Sequence, residues 1–124
     1  MRWWSFVVAL TAALGTPASA GDSSFQHSET ISLQPNPGYF TEHCLRLDPG
    51  QRLEYRMRSP FHMDFNVHYH GPDKTAYPVA KQQARNQSGT FEAAGQGTHC
   101  FMWTNREKRD DAYEIELQYS IDPE

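Results

Sequence analysis

The sequence of 124 residues lacks the motifs that would assign it a reaction. It has no Gly-x-Ser-x-Gly elbow, no His-Glu-x-x-His, no phosphate loop and no dinucleotide fingerprint, so the common signatures of hydrolase, metalloprotease and nucleotide chemistry are missing. Its carboxylates are scattered, and Asp110 and Asp111, beside Arg106, Lys108 and Arg109, read as a solvated hairpin loop. A basic excess is lacking as well: 11 Lys and Arg stand against 15 Asp and Glu. Without a basic footprint, neither nucleic acid nor an anionic lipid surface is an expected partner. These absences make the chain a non-enzymatic protein on first reading.

Beyond the first 20 positions no apolar run approaches the ~20 residues of a spanning helix, so no membrane span is expected in the mature chain. No helical apolar period persists, and there are no repeats or low-complexity tracts. Cysteine is sparse, at two residues.

What is present begins with a leader. Arg2, an apolar stretch from Trp3 to Leu14, Pro17, and then Ala18, Ser19 and Ala20 follow the order of a secretory signal peptide, with cleavage expected after Ala20. The mature chain is then periplasmic or secreted. Removing Arg2 leaves ten basic residues against fifteen acidic, a mildly acidic single domain. In an oxidising compartment Cys44 and Cys100 make an even pair suited to a disulfide. The chain-entropy model gives such a bridge roughly 4 kcal/mol. The rival reading makes Cys100, next to His99 and two before Met102, a thiolate metal ligand and leaves Cys44 unpaired.

A period of two dominates the mature chain. Tyr113, Ile115, Leu117, Tyr119 and Ile121 alternate with polar residues, as do Leu53, Tyr55 and Met57, and again Met63, Phe65, Val67 and Tyr69. Fainter strands are expected at 29–33, 39–47, 77–82, 89–93 and 97–104. Turn chemistry separates them at Pro35 to Gly38, at Asp48, Pro49 and Gly50, at Gly71 and Pro72, at Ser88 and Gly89, and at Gly95 to Gly97. Residues 80–87 are polar and read as a loop or single turn, and residues 21–28 as a frayed end. Met57 and Met63 fall on apolar faces as core filler. The fold class is an all-β antiparallel β-sandwich with one bridge. Its expected divisions are a signal peptide (1–20), a polar segment with a first weak strand (21–38) and the sandwich domain (39–124).

The order of these features resembles the GOLD domain, the luminal β-sandwich of small transmembrane cargo receptors of the secretory pathway. The resemblance is carried by Cys44, by Asp48, Pro49 and Gly50, by the run Met63, Asp64, Phe65 and Val67 before Gly71 and Pro72, by Gly97, His99, Cys100, Phe101 and Asn105, and by the closing strand. It covers roughly residues 40–122 and implies a GOLD-like, jelly-roll-like sandwich with Cys44 and Cys100 bridged. Cargo receptors continue into a coiled coil, a span and a cytosolic tail that this sequence does not contain, so cargo sorting is not implied. What is implied is a stand-alone binding domain with no named ligand.

Six histidines lie in the mature chain, three of them within residues 62–70. On a strand His68 and His70 share a face about 6.6 Å apart, close enough to chelate one ion, whereas His62 is about 20 Å from His68. A third ligand would come from His99 or Met102, or from His62 if the strand is kinked at Pro60. Imidazole with thioether suits copper; imidazole with carboxylate would suit zinc. The plainer reading makes these histidines ordinary polar-face residues. Two functions therefore stand side by side: a binding module whose partner, a protein or small ligand, meets an aromatic surface around Tyr69, Tyr77 and Trp103, and a metal-binding protein using His68 and His70.

Overall fold

The computed structural model describes residues 24–122, so the expected leader lies outside the described residues. Six strands form: β1 (His27–Leu33), β2 (Phe40–Leu47), β3 (Arg52–His70), β4 (Thr75–Glu92), β5 (Gly97–Thr104) and β6 (Tyr113–Asp122). Every pairing is antiparallel, and no helix occurs among the described residues.

The architecture follows from the length of β3. Its first half, residues 52–58, pairs with β6, and its second half, residues 64–69, pairs with β5. Along its other edge both halves of β3 pair with β4, with a break between Arg58 and Met63. The hairpin of β3 and β4 thus belongs to two sheets at once, one running β1, β6, β3, β4 and the other β2, β5, β3, β4. The crossover falls where the register shifts between Arg58 and Met63. Pro60 sits in that gap, and a residue with no N–H to donate is tolerated where the ladder is already interrupted. Ser59 fixes the bend: its hydroxyl donates to the Phe61 carbonyl at 2.7 Å and accepts from the Phe61 N–H at 3.2 Å.

Alternate residues of both sheets point inward and meet. Leu53, Met57, Met63, Phe65, Val67 and Trp103 are fully buried, and Tyr55 of the first sheet packs at 5.8 Å from Phe65 and 5.7 Å from Phe101 of the second. The two methionines are core filler, as their faces imply. Cys44 and Cys100 are direct register partners on β2 and β5 and form the disulfide. The bridge removes the reading of Cys100 as a thiolate ligand, since a disulfide sulfur carries no thiolate charge.

Three local expectations are corrected. Residues 80–87, and Ser88 with Gly89, lie inside β4 rather than in turns. Most of this strand stays wet, with Ala84 and Phe91 its buried residues, so it carries no sustained apolar alternation. The backbone of β3 supplies the ladder instead. The end at residues 26–28 is not frayed: His27 and Ser28 pair with Tyr119 and Gln118, and Gln26 exchanges hydrogen bonds with Ser120 and Ile121.

Candidate functional site

The outward face of the second sheet carries the candidate site. On β3 the even residues Asp64, Asn66, His68 and His70 project there, and on β5 Cys100 and Met102 do. Register places Glu42, Met102 and Asn66 in one row across β2, β5 and β3, and Cys44, Cys100 and His68 in the next. The N-terminal half of β4 overhangs this face with Tyr77, Lys81 and Gln83, and Arg106 reaches over from the loop before β6. Together they enclose an open cleft of about 550 Å³.

The floor is polar and buried. Asn66 is 5% exposed and His68 7%. His68 Nδ1 lies 2.7 Å from the Asn66 side-chain oxygen and therefore donates to it, while Nε2 lies 3.1 Å from a Glu42 carboxylate oxygen. The His70 ring stands edge-on to the His68 ring with centroids 4.8 Å apart. Burial pushes the His68 pKa below the ordinary imidazole value; Glu42 opposes this, and His70 adds to it. At the rim Arg106 pairs with Asp64 at 3.2 Å, both side chains about half exposed, a contact that water screens. Lys81 lies over the Tyr77 ring at 5.2 Å.

The sequence-derived residues divide cleanly. His68, His70 and Met102 come together in the cleft. His62 is exposed and is not among the cleft residues. His99 faces the opposite side, 1% exposed. Its Nδ1 donates to the Gly97 carbonyl and its Nε2 accepts from the Ala94 N–H, each at 3.0 Å, so neither nitrogen is open to an ion. Of the expected aromatic surface only Tyr77 is exposed, at 44%. Trp103 is instead a core residue, because odd-numbered positions on β5 point inward, and its ring stacks on Phe101. Tyr69 is half-buried, stacked on His99 and bonded to the Gln96 carbonyl. Tyr39 and Phe40 are also exposed, away from the cleft.

Among the residues that sequence reasoning missed are Asn66, which lines the cleft, and Glu42, which stands against its floor at His68. A signal for Glu42 existed: once Cys44 is bridged to Cys100 as a register partner, Glu42 falls opposite Met102 and on its face. Ligand atoms of Glu42, His68 and Cys100 all lie within 4.8 Å of one another, with the sulfur held in the bridge.

No protein-family model matches this chain, and no curated protein matches it. Among solved structures it is similar to PliG of Aeromonas hydrophila, a periplasmic lysozyme inhibitor of g-type lysozyme, with 13% identity and a TM-score of 0.57 over 81% of this chain and 90% of that one. A de novo designed double-stranded β-helix aligns at 15% identity and a TM-score of 0.41, over 76% of this chain and 99% of that one. At such identity the likeness to PliG is one of fold, an all-β architecture hosted there by a lysozyme inhibitor.

Proposed function

We propose that this chain is an extracytoplasmic, non-enzymatic binding module whose ligand enters the cleft on the outer face of the β2, β5, β3, β4 sheet. The observation that carries this reading is the burial of Asn66 and His68 on an outward sheet face. Polar groups cost free energy to bury unless they are paired, and outward sheet faces ordinarily leave them in water. Convergent polar side chains in a concavity are the usual form of a ligand site. Asp64, Lys81 and Arg106 line it with charges of both signs, and Glu42 stands against its floor at His68, which fits a polar ligand.

The disulfide supports an oxidising compartment, and the similar fold of a periplasmic inhibitor supports the same compartment and class. The GOLD resemblance also implies a bare binding sandwich, and we keep it as part of this proposal.

Methionine methyl groups supply the test. After cleavage three remain, with Met57 and Met63 fully buried and Met102 in the cleft. Methyl-labelled protein in chelator is mixed with fractions of the host's extracytoplasmic extract and followed by NMR. A shift of the Met102 signal alone, abolished by Tyr77→Ala with Lys81→Glu, is expected. Ligand-dependent movement of the core methyls with Met102 unchanged would overturn the assignment.

A further inference from the structure

We propose that the cleft holds one copper ion, ligated by His68 Nε2, the Glu42 carboxylate, the His70 imidazole and the Met102 thioether. This rests on the cleft reading above and names its ligand. The argument begins at Asn66. Its side-chain oxygen, 2.7 Å from His68 Nδ1, can only accept, so the ring proton sits on Nδ1 and the Nε2 lone pair is left free. Facing that lone pair at 3.1 Å is a carboxylate oxygen of Glu42, another electron-pair donor. Two such donors at this distance call for an electrophile between them, either a proton or a metal ion. A ring N–H tied to an amide oxygen is also the arrangement that fixes the tautomer and orientation of a metal-binding imidazole.

The surroundings favour the ion. His70 brings a second imidazole to the same face, its ring centroid 4.8 Å from that of His68. Met102 is the register partner of both Glu42 and Asn66, so its thioether rises between the strands that carry the other donors. Zinc is ordinarily held by imidazole, carboxylate and thiolate. Copper accepts imidazole and carboxylate as Cu(II) and adds thioether as Cu(I), and Cu(II) heads the affinity order of the divalent series.

The test uses the oxidised mature protein, titrated with Cu(II), Cu(I) and Zn(II) against competing chelators, with stoichiometry by native mass spectrometry. One copper per chain is expected. Glu42→Gln and His70→Ala should each weaken it by more than ~10-fold, since even outer-sphere partners of metal ligands are worth that much. His62→Ala should leave it unchanged. The Cu(II) resonance spectrum should show two imidazole nitrogens in the wild type and one in His70→Ala. Glu42 and His70 are exposed, so both variants should fold, which Trp103 emission checks. Absence of stoichiometric copper, tighter binding of zinc, or an unaltered Glu42→Gln would each overturn the proposal: the first leaves a proton as the bridge between His68 and Glu42, the second reassigns the ion and the third removes Glu42 from its ligands. If copper fails while Met102 still responds to an extract fraction in chelator, the metal inference falls and the cleft reading stands. Failure of both removes the cleft.

Discussion

Tyr69 stacks on His99 with ring centroids 4.7 Å apart, and its hydroxyl donates to the Gln96 carbonyl at 3.0 Å. One tyrosine thereby covers a buried imidazole and pins the turn that leads into β5. Both residues look functional in the sequence, as partner surface and metal ligand, yet each spends its polar atoms on backbone. Their role is to fix the entry of β5, the strand that carries Met102 and Cys100 into the cleft.

Gly95→Ala tests that arrangement. A Cβ at Gly95 would lie 2.7 Å from the Tyr69 hydroxyl oxygen and 3.0 Å from its ring carbon. The ring cannot yield without losing the stack on His99 or the bond to Gln96. Overpacking of this kind costs typically ~1–3 kcal/mol, and a lowered urea midpoint is expected. A stability equal to wild type would mean that Tyr69 does not hold the turn.

The fold is legible in the sequence wherever one face of a strand is buried. β6 and the two halves of β3 show it, because the period of two is a direct record of which side meets the core. β4 was legible only towards its ends, as the fainter strands 77–82 and 89–93: its residues 80–83 are exposed on both faces, and its continuity depends on the edge that β3 offers. The continuity of β3 through Pro60 is hidden for a related reason, since a register shift leaves no compositional mark. In the site, His68 and His70 were visible through their spacing of two. Glu42 was not, because its approach to His68 runs diagonally across β5 and depends on register between strands far apart in sequence.

The bridge makes its own prediction. Cys44 and Cys100 are 56 positions apart in sequence, and loss of a native disulfide from a small extracytoplasmic domain costs ~2–5 kcal/mol. Replacing both cysteines by alanine should lower the urea midpoint accordingly, with free-thiol labelling of the wild type near zero. A loss under about 1 kcal/mol would show that strand pairing alone carries the constraint.

Acid should destabilise the protein through His99. The imidazole is buried between the Tyr69 and Phe91 rings, and burial holds its pKa below the ordinary value near 6.5, with the Gly97 carbonyl opposing. As pH falls below about 6.5 the unfolded chain takes up a proton that the native imidazole refuses. The unfolded state then binds more protons, and stability declines until the depressed native pKa is passed. Protonation would also cost Nε2 its role as acceptor for the Ala94 N–H. Urea midpoints at about pH 7.5 and about pH 5 should differ in the wild type, and differ less in His99→Gln, which keeps a donor and an acceptor without titrating. Equal pH slopes in the two proteins would assign the acid sensitivity to other groups.

Trp103 separates packing from polarity in the core. Its ring is fully buried, stacked on Phe101 at 6.1 Å and tilted against Phe65 at 5.8 Å, while its indole N–H has no hydrogen-bond partner among the described residues. Trp103→Ala should therefore lose ~3–5 kcal/mol by opening a cavity between the sheets. Trp103→Phe removes less volume and also removes a buried donor whose lack of a partner costs ~1–3 kcal/mol. The two effects oppose, so the phenylalanine variant should fall much closer to wild type in a urea titration. If it is instead as unstable as the alanine variant, the indole nitrogen is held by an ordered water and Trp103 contributes a hydrogen bond as well as its ring.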